Sequence, residues 1–143
     1  MMYILDTDHL SLHQRGHGQL KKRLLNVSPE LMAITIITVE ESVRGRLRQI
    51  RRAVKPDERV KAYYWLHKTF DYLGSFRTLE YDSHAEGHFQ AFRKQKIRVG
   101  TQDLKIAAIA LSRDATLVTR NRRDFEQIPS LRIEDWSVAS DEG

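Results

Sequence analysis

Cysteine is absent from this chain of 143 residues. Disulfides, zinc–thiolate centres and a cysteine nucleophile are therefore excluded, and the composition accords with a reducing compartment. No apolar stretch reaches the ~20 residues that a membrane span needs. The start lacks the basic opening and long apolar centre of a secretory signal, which gives the expectation of a cytoplasmic protein with no membrane association. There is no internal repeat, low-complexity tract or linker. The length fits one domain, expected over residues 1–136, followed by a loose tail at 137–143. A glycine-rich phosphate loop is missing too, since "RGHGQL" lacks the third glycine and the preceding strand. The histidines show no spacing diagnostic of a metal or base site. His84 and His88 stand one helical turn apart, but without the glutamate of an HExxH pattern.

What is present is an alternation of apolar periods in a chain that is 41% hydrophobic and 30% charged. "MYILD" is a short apolar run of the buried-strand kind, and "LMAITII" is another, rich in branched residues. Leu10, Leu12, Leu20, Leu24 and Leu25 suit one or two short helices between them. Helical, strongly basic composition runs from Thr38 to about Arg52, and a further helix runs from the first-turn Pro56 to Gly74. "FRTLEYD" reads as a strand, "SHAEGHFQAFRKQ" as a helix, and "TQDLKIAAIALSRD" as a helix with Ile106, Ala107, Ala110 and Leu111 on one buried face. "ATLVT", "RRDFEQI" and "LRIEDW" close the pattern as strand, short helix and strand. This alternation predicts an α/β domain with a central, mainly parallel sheet flanked by helices.

In such sheets ligands collect at the carboxyl ends of the strands. Asp6 follows the first strand, Thr38 to Glu41 the second, and Thr119 to Asp124 follow "ATLV"; Asp103 opens the apolar helix. Four acidic positions thus converge on one edge. At roughly 6 Å and an effective dielectric near 20, each pair of carboxylates repels by ~3 kcal/mol. A cluster needs protons or a cation to compensate it. Hard oxygen ligands select Mg²⁺ or Mn²⁺, which polarise a phosphoryl oxygen and activate water. Each acid also has a purely structural reading. Thr38 and Glu41 have the spacing of a capping box, Asn121 and Asp124 can cap the next helix, and Asp103 can favour its helix dipole. Only their joint placement points to metal-dependent cleavage of a phosphodiester.

These segments resemble the PIN domain, in particular the VapC-type ribonuclease toxins of bacterial toxin–antitoxin systems. "YILDTDHLSL" resembles the first motif of that family, an apolar strand ending in Asp followed by Thr. "ITVEESVRG" resembles the second, where the glutamate four residues before glycine is Glu41 and not Glu40. "GTQDLKIAAIAL" is very close to the third, with Asp103 as its acid. "ATLVTRNRRDFEQIPSLRIEDW" resembles the closing segment, with Asp124 as the fourth acid and "TRN" beside the site. Asp8 stands where relatives commonly have Asn. The resemblance implies a PIN-like fold, a Mg²⁺- or Mn²⁺-dependent endoribonuclease activity on an RNA substrate, a cognate antitoxin and a homodimer. It gives Asp6 and Asp103 the principal ion. Glu41 completes that shell or orients the attacking water, Asp124 holds water or a second ion, and Thr119 and Asn121 support by hydrogen bonds.

Basic residues surround these positions, giving a net charge of +5. Arg44, Arg48, Arg51, Arg52 and Lys55 form a stripe leading away from Glu41, and Arg120, Arg122 and Arg123 flank Asp124. The Arg120–Arg123 cluster is expected to contact RNA phosphates, whereas RNA and an acidic antitoxin segment compete for the Arg44 stripe. Tyr63, Leu66, Phe70 and Leu73 recur at helical spacing and are expected to be buried packing, on a helix that also has the makings of a dimer contact. Two rival functions remain. One is a PIN-like nucleic-acid or protein-binding module with a decayed site. The other is a haloacid-dehalogenase-like phosphatase built on the D-x-D of "LDTD", which lacks the later acidic pair of that family.

Overall fold

The computed structural model describes residues 1–139; residues 140–143, the greater part of the expected tail, lie outside the described residues. Five strands form one all-parallel sheet in the order β3-β2-β1-β4-β5. They are β1 (Tyr3–Leu5), β2 (Met32–Thr35), β3 (Arg77–Leu79), β4 (Thr116–Val118) and β5 (Arg132–Glu134). Seven α-helices connect them: α1 (Thr7–Gln14) and α2 (Gly18–Leu25), α3 (Ile36–Arg52) and α4 (Pro56–Gly74), α5 (Ser83–Lys94) and α6 (Thr101–Ser112), and the single turn α7 (Arg122–Phe125). A short 3₁₀ turn, Pro29–Leu31, leads into β2.

The central strands are three or four residues long and buried on both faces, so alternate side chains feed two cores. Ile4, Ala33 and Leu117 point to one core with Phe89, Phe92 and the apolar length of α6. Leu5, Ile34 and Val118 point to the other with Leu10, Leu20, Leu24, Leu73 and Trp136. Each fully buried Ile, Leu or Val contributes roughly 1.5–3 kcal/mol relative to exposure. From β1 the chain moves to β2 and then β3 on one side, and returns through α5 and α6 to β4 on the other. The connections therefore diverge at the carboxyl ends of β1 and β4, where a crevice opens.

Three local readings change. The helical segment expected from Thr38 starts at Ile36, so the last two isoleucines of the run assigned to the strand, Ile36 and Ile37, belong to the first turn of α3. Its cap is Thr35, whose hydroxyl accepts the Thr38 N–H at 3.2 Å, so Thr38 and Glu41 form no capping box. On α4 the buried positions are Ala62, Thr69 and Leu73, while Tyr63 and Phe70 are 57% and 71% exposed. Apolar spacing identified the helix and its buried Leu73, but Ala62 and Thr69 take the buried places expected for Tyr63 and Phe70. Third, the basic stripe of α3 does not share one face, and its division is described below.

Candidate metal centre

Asp6 ends β1 and caps α1, with its Oδ1 accepting the His9 backbone N–H at 2.8 Å. This couples two roles in one carboxylate: Oδ1 fixes the first turn of the helix, and the other oxygen is left to the crevice. His9 is fully buried. Its Nε2 accepts the Trp136 backbone N–H at 3.2 Å, which places the ring hydrogen on Nδ1. Nδ1 lacks a hydrogen-bond partner, and Asp6 Oδ1 lies 3.4 Å from it, a long polar contact on the same oxygen. Among the histidines, which the sequence left without a role, His9 is thus the one that touches the acidic centre. Burial was the signal, and it is written in no local spacing.

Glu41 lies on the second turn of α3, where its Oε1 accepts the Thr7 hydroxyl at 2.6 Å. Thr7 Oγ1 is also 3.0 Å from Thr38 Oγ1. These threonines tie α1 to α3 and aim Glu41 at the crevice; in the sequence Thr7 stood out only for following Asp6. Asp103 comes from the first turn of α6. Its carboxyl is pushed up to about 6, first by burial and then by the charges of Glu41, Asp6 and Asp124. The other three acids expected from the sequence therefore all act electrostatically on Asp103.

A hollow of about 750 Å³ at this edge is lined by Asp6, Glu41 and Asp103, with Thr7, Ser11 and Phe125 among its walls. Asp124 does not line it. It sits behind Asn121, whose Nδ2 donates to Asp124 Oδ2 at 3.0 Å, and whose backbone N–H donates to Thr119 Oγ1 at 3.0 Å. Asn121 makes no side-chain cap to α7. Thr119 is buried at the end of β4, so the chain Thr119–Asn121–Asp124 fixes the loop beneath the hollow.

Asp8 has a different fate from Asp6. It is paired with Arg120, whose Nε and Nη2 both reach its carboxylate, the latter at 3.1 Å. Arg120 lines the hollow while neutralising Asp8, and Arg122 lies outside the hollow, 3.7 Å from Glu126. Oxygen and nitrogen atoms of Asp6, Asp8 and His9 fall within 4.8 Å of one another, a spacing that a cation could in principle use. The chemistry argues against that trio. Nδ1 carries the hydrogen, and Asp8 already has a guanidinium partner. Asp6, Glu41 and Asp103 offer a set of hard oxygens in a half-buried site, and the pKa of Asp103 is raised first by burial and then by carboxylate repulsion, both of which a divalent ion would offset.

The basic stripe of α3 divides. Glu41, Gly45, Arg48 and Arg52 line a cleft next to the hollow. Glu40, Arg44, Leu47 and Arg51 line a groove on another side of the helix, where Arg44 is bound to Glu40 at 2.6 Å.

A family model described as PIN domain matches residues 3–131. The chain is 47% identical over 144 residues to "Ribonuclease VapC2" of Rickettsia felis, across 95% of this chain and 98% of the relative. It is 28% identical to "tRNA(fMet)-specific endonuclease VapC" of Salmonella typhimurium, across 95% and 98% of the two chains. The fold superposes on a chain of the DNA-bound VapBC crystal structure from Salmonella typhimurium with a TM-score of 0.76 at 27% identity, covering 95% of this chain and 98% of that one. The arrangement of carboxylates at the end of a parallel sheet and these likenesses agree: the chain belongs to the PIN domain family.

Proposed function

We infer that this protein is an endoribonuclease, the toxin of a toxin–antitoxin pair, acting on RNA in the cytoplasm with Mg²⁺ or Mn²⁺ at its carboxylate centre. The observation that carries this reading is the convergence of Asp6, Glu41 and Asp103 on one hollow at the crevice of the sheet, where burial and the neighbouring carboxylates raise Asp103 to about 6. The names of the relatives support the activity, and the VapBC assembly of the Salmonella structure supports an antitoxin partner. Exposed Val60, Tyr63 and Phe70 on α4 provide apolar surface for a homodimer.

Asp6 and Asp103 would hold the ion, Glu41 would complete the set, and Asp124 would act from behind Asn121. The ion, when bound, supplies Lewis-acid polarisation of the phosphoryl group and offsets the charge that develops during cleavage. The chain itself does the rest. Thr7 orients Glu41, the cap and His9 hold Asp6 Oδ1, and Thr119 and Asn121 hold Asp124. Asp8 is bound to Arg120 and does not act as the acid/base of a D-x-D phosphatase.

The test is incubation of purified protein with total bacterial RNA in Mg²⁺, Mn²⁺ or EDTA, with mapping of new 5′ ends. Defined ends in either ion and none in EDTA are expected. Intact fold and ion binding without any new end would leave a PIN-like binding module instead.

A further inference from the structure

The cleft beside the acidic hollow has features that the carboxylate centre does not use. It has a volume of about 340 Å³, lies between α1, α3 and α4, and shares Thr7, Ser11 and Glu41 with the hollow, so the two adjoin. Three arginines of α3, Arg46, Arg48 and Arg52, line it. None of the three makes an ion pair among the described residues.

Arg46 is the informative one. It is half-buried, and among the described residues its guanidinium is held only by neutral acceptors: Nε donates to Thr69 at 2.8 Å, Nη1 to Gln49 at 3.1 Å and Nη2 to Gln14 at 3.3 Å. The Trp65 ring lies 5.2 Å from its Cζ. A guanidinium has five N–H donors, so this fixed fork keeps donors and a full charge that no carboxylate offsets. Burying a cation without an anion costs free energy, and a phosphate is the partner that such a planar fork recognises. Gly45 lies one helical turn from Glu41 on the same stripe, and a Cβ built there would meet no atom within 4 Å. Space is open at this wall of the cleft, so a large side chain at Gly45 would project into it.

We propose that this cleft binds a backbone phosphate of single-stranded RNA adjacent to the bond positioned over the carboxylates, with Arg46 as its fixed anchor and Arg48 and Arg52 at its outer rim. The proposal rests on the endoribonuclease reading for the identity of the polymer. It favours RNA over an acidic protein segment because the arginine cleft and the acidic hollow adjoin, with Thr7, Ser11 and Glu41 as common walls. One polyanion can therefore occupy both.

The test measures binding of a fluorescein-labelled 12-nucleotide single-stranded RNA by anisotropy in EDTA, where cleavage does not interfere. Arg48→Ala/Arg52→Ala is expected to weaken binding about tenfold or more and to lower the salt slope by about 0.7 for each phosphate that is no longer neutralised. Arg44→Ala/Arg51→Ala removes the same charge from the other side of α3 and should stay within about twofold on the same electrostatic grounds. Gly45→Leu plugs the cleft without changing charge. It should reduce affinity while the thermal midpoint holds or rises, because leucine is a better helix former than glycine. Equal losses in both double variants, or no loss in Gly45→Leu, overturn the proposal. So does a cleft variant that loses an acidic antitoxin but keeps RNA. Cleavage by wild type in Mn²⁺ with unaltered cleft variants would refute the cleft alone; normal cleft-dependent binding without cleavage would refute the ribonuclease reading alone.

Discussion

Glu40 and Glu41 are neighbours on α3 and chemically identical, yet they belong to two different surfaces. Glu40 is spent: one oxygen takes Arg44 at 2.6 Å and the other takes Gln102 at 2.9 Å. Its side of the helix carries Leu47, Ile50 and a basic rim. Among the described residues Glu41 has a single donor, the Thr7 hydroxyl, and its charge adds to the burial that raises Asp103. The ~100° turn between consecutive helical residues places one carboxylate in an ordinary surface ion pair and the other in a repulsive cluster. On the proposed reading, function lies in unrelieved charge, while a satisfied acid is structural.

Substitutions can break this contrast. The largest effect should come from Asp103→Asn and Glu41→Gln, which remove hard ligands from the cluster and are expected to lower RNA cleavage by ~100-fold or more. Glu40→Gln, assayed in parallel, should stay within about twofold, since an exposed i, i+4 pair is worth only ~0.3–0.5 kcal/mol. Equal losses at both glutamates would abolish the distinction.

His9 offers a second comparison. His9→Phe keeps the ring volume but removes the polar link to Asp6, whereas the amide of His9→Asn can still donate from the Nδ1 position. We expect Mn²⁺ affinity to fall by ~10-fold in His9→Phe and to recover in part in His9→Asn. Calorimetric titration of the two proteins checks it. An equal loss in both would leave His9 as packing alone.

The stability of the ion-free protein should report the same cluster. The folded-state pKa of Asp103 is about 6, above the ordinary carboxylate value, so the native state binds more protons than the unfolded chain between about pH 4 and 6. The carboxyl therefore destabilises the native state increasingly as pH rises through this window, and fully above it. Asp103→Asn should raise the thermal midpoint in EDTA at about pH 7.5 and have little effect near pH 4, the reverse of its effect on cleavage. A lowered midpoint at the higher pH would show that the carboxylates do not repel.

The smallest effect belongs to Asp8. Asp8→Asn loses its pair with Arg120, which is half exposed on both sides and worth ~0–1 kcal/mol. Activity within a fewfold of wild type is expected in the same cleavage assay. A loss as large as that of Asp6→Asn would place Asp8 in the centre.

These contrasts also mark what the sequence could reveal. The parallel sheet was legible because short apolar runs alternate with helical periods, and the acids were legible because each follows a strand or opens a helix. The identity of Glu41 over Glu40 came from the resemblance, through its distance to Gly45, and the structure gives that spacing a physical meaning. The rest depends on pairings far apart along the chain. The Asp8–Arg120 pair joins residues 112 positions apart, and the Trp136 N–H that orients His9 is 127 positions away. The phase of α4 was missed because Tyr63 and Phe70 have helical spacing but face outward. Periodicity fixes a helix and leaves its rotation to the partner it packs on.

The most direct measurement of the central claim is the thermal midpoint of wild type, Glu41→Gln and Glu40→Gln with and without Mn²⁺ near neutral pH. An ion that binds only the folded state raises the midpoint. A shift in wild type and in Glu40→Gln, lost or strongly reduced in Glu41→Gln, is the predicted result. No shift in wild type at millimolar Mn²⁺, or the same shift in all three proteins, would contradict a metal centre built on these carboxylates.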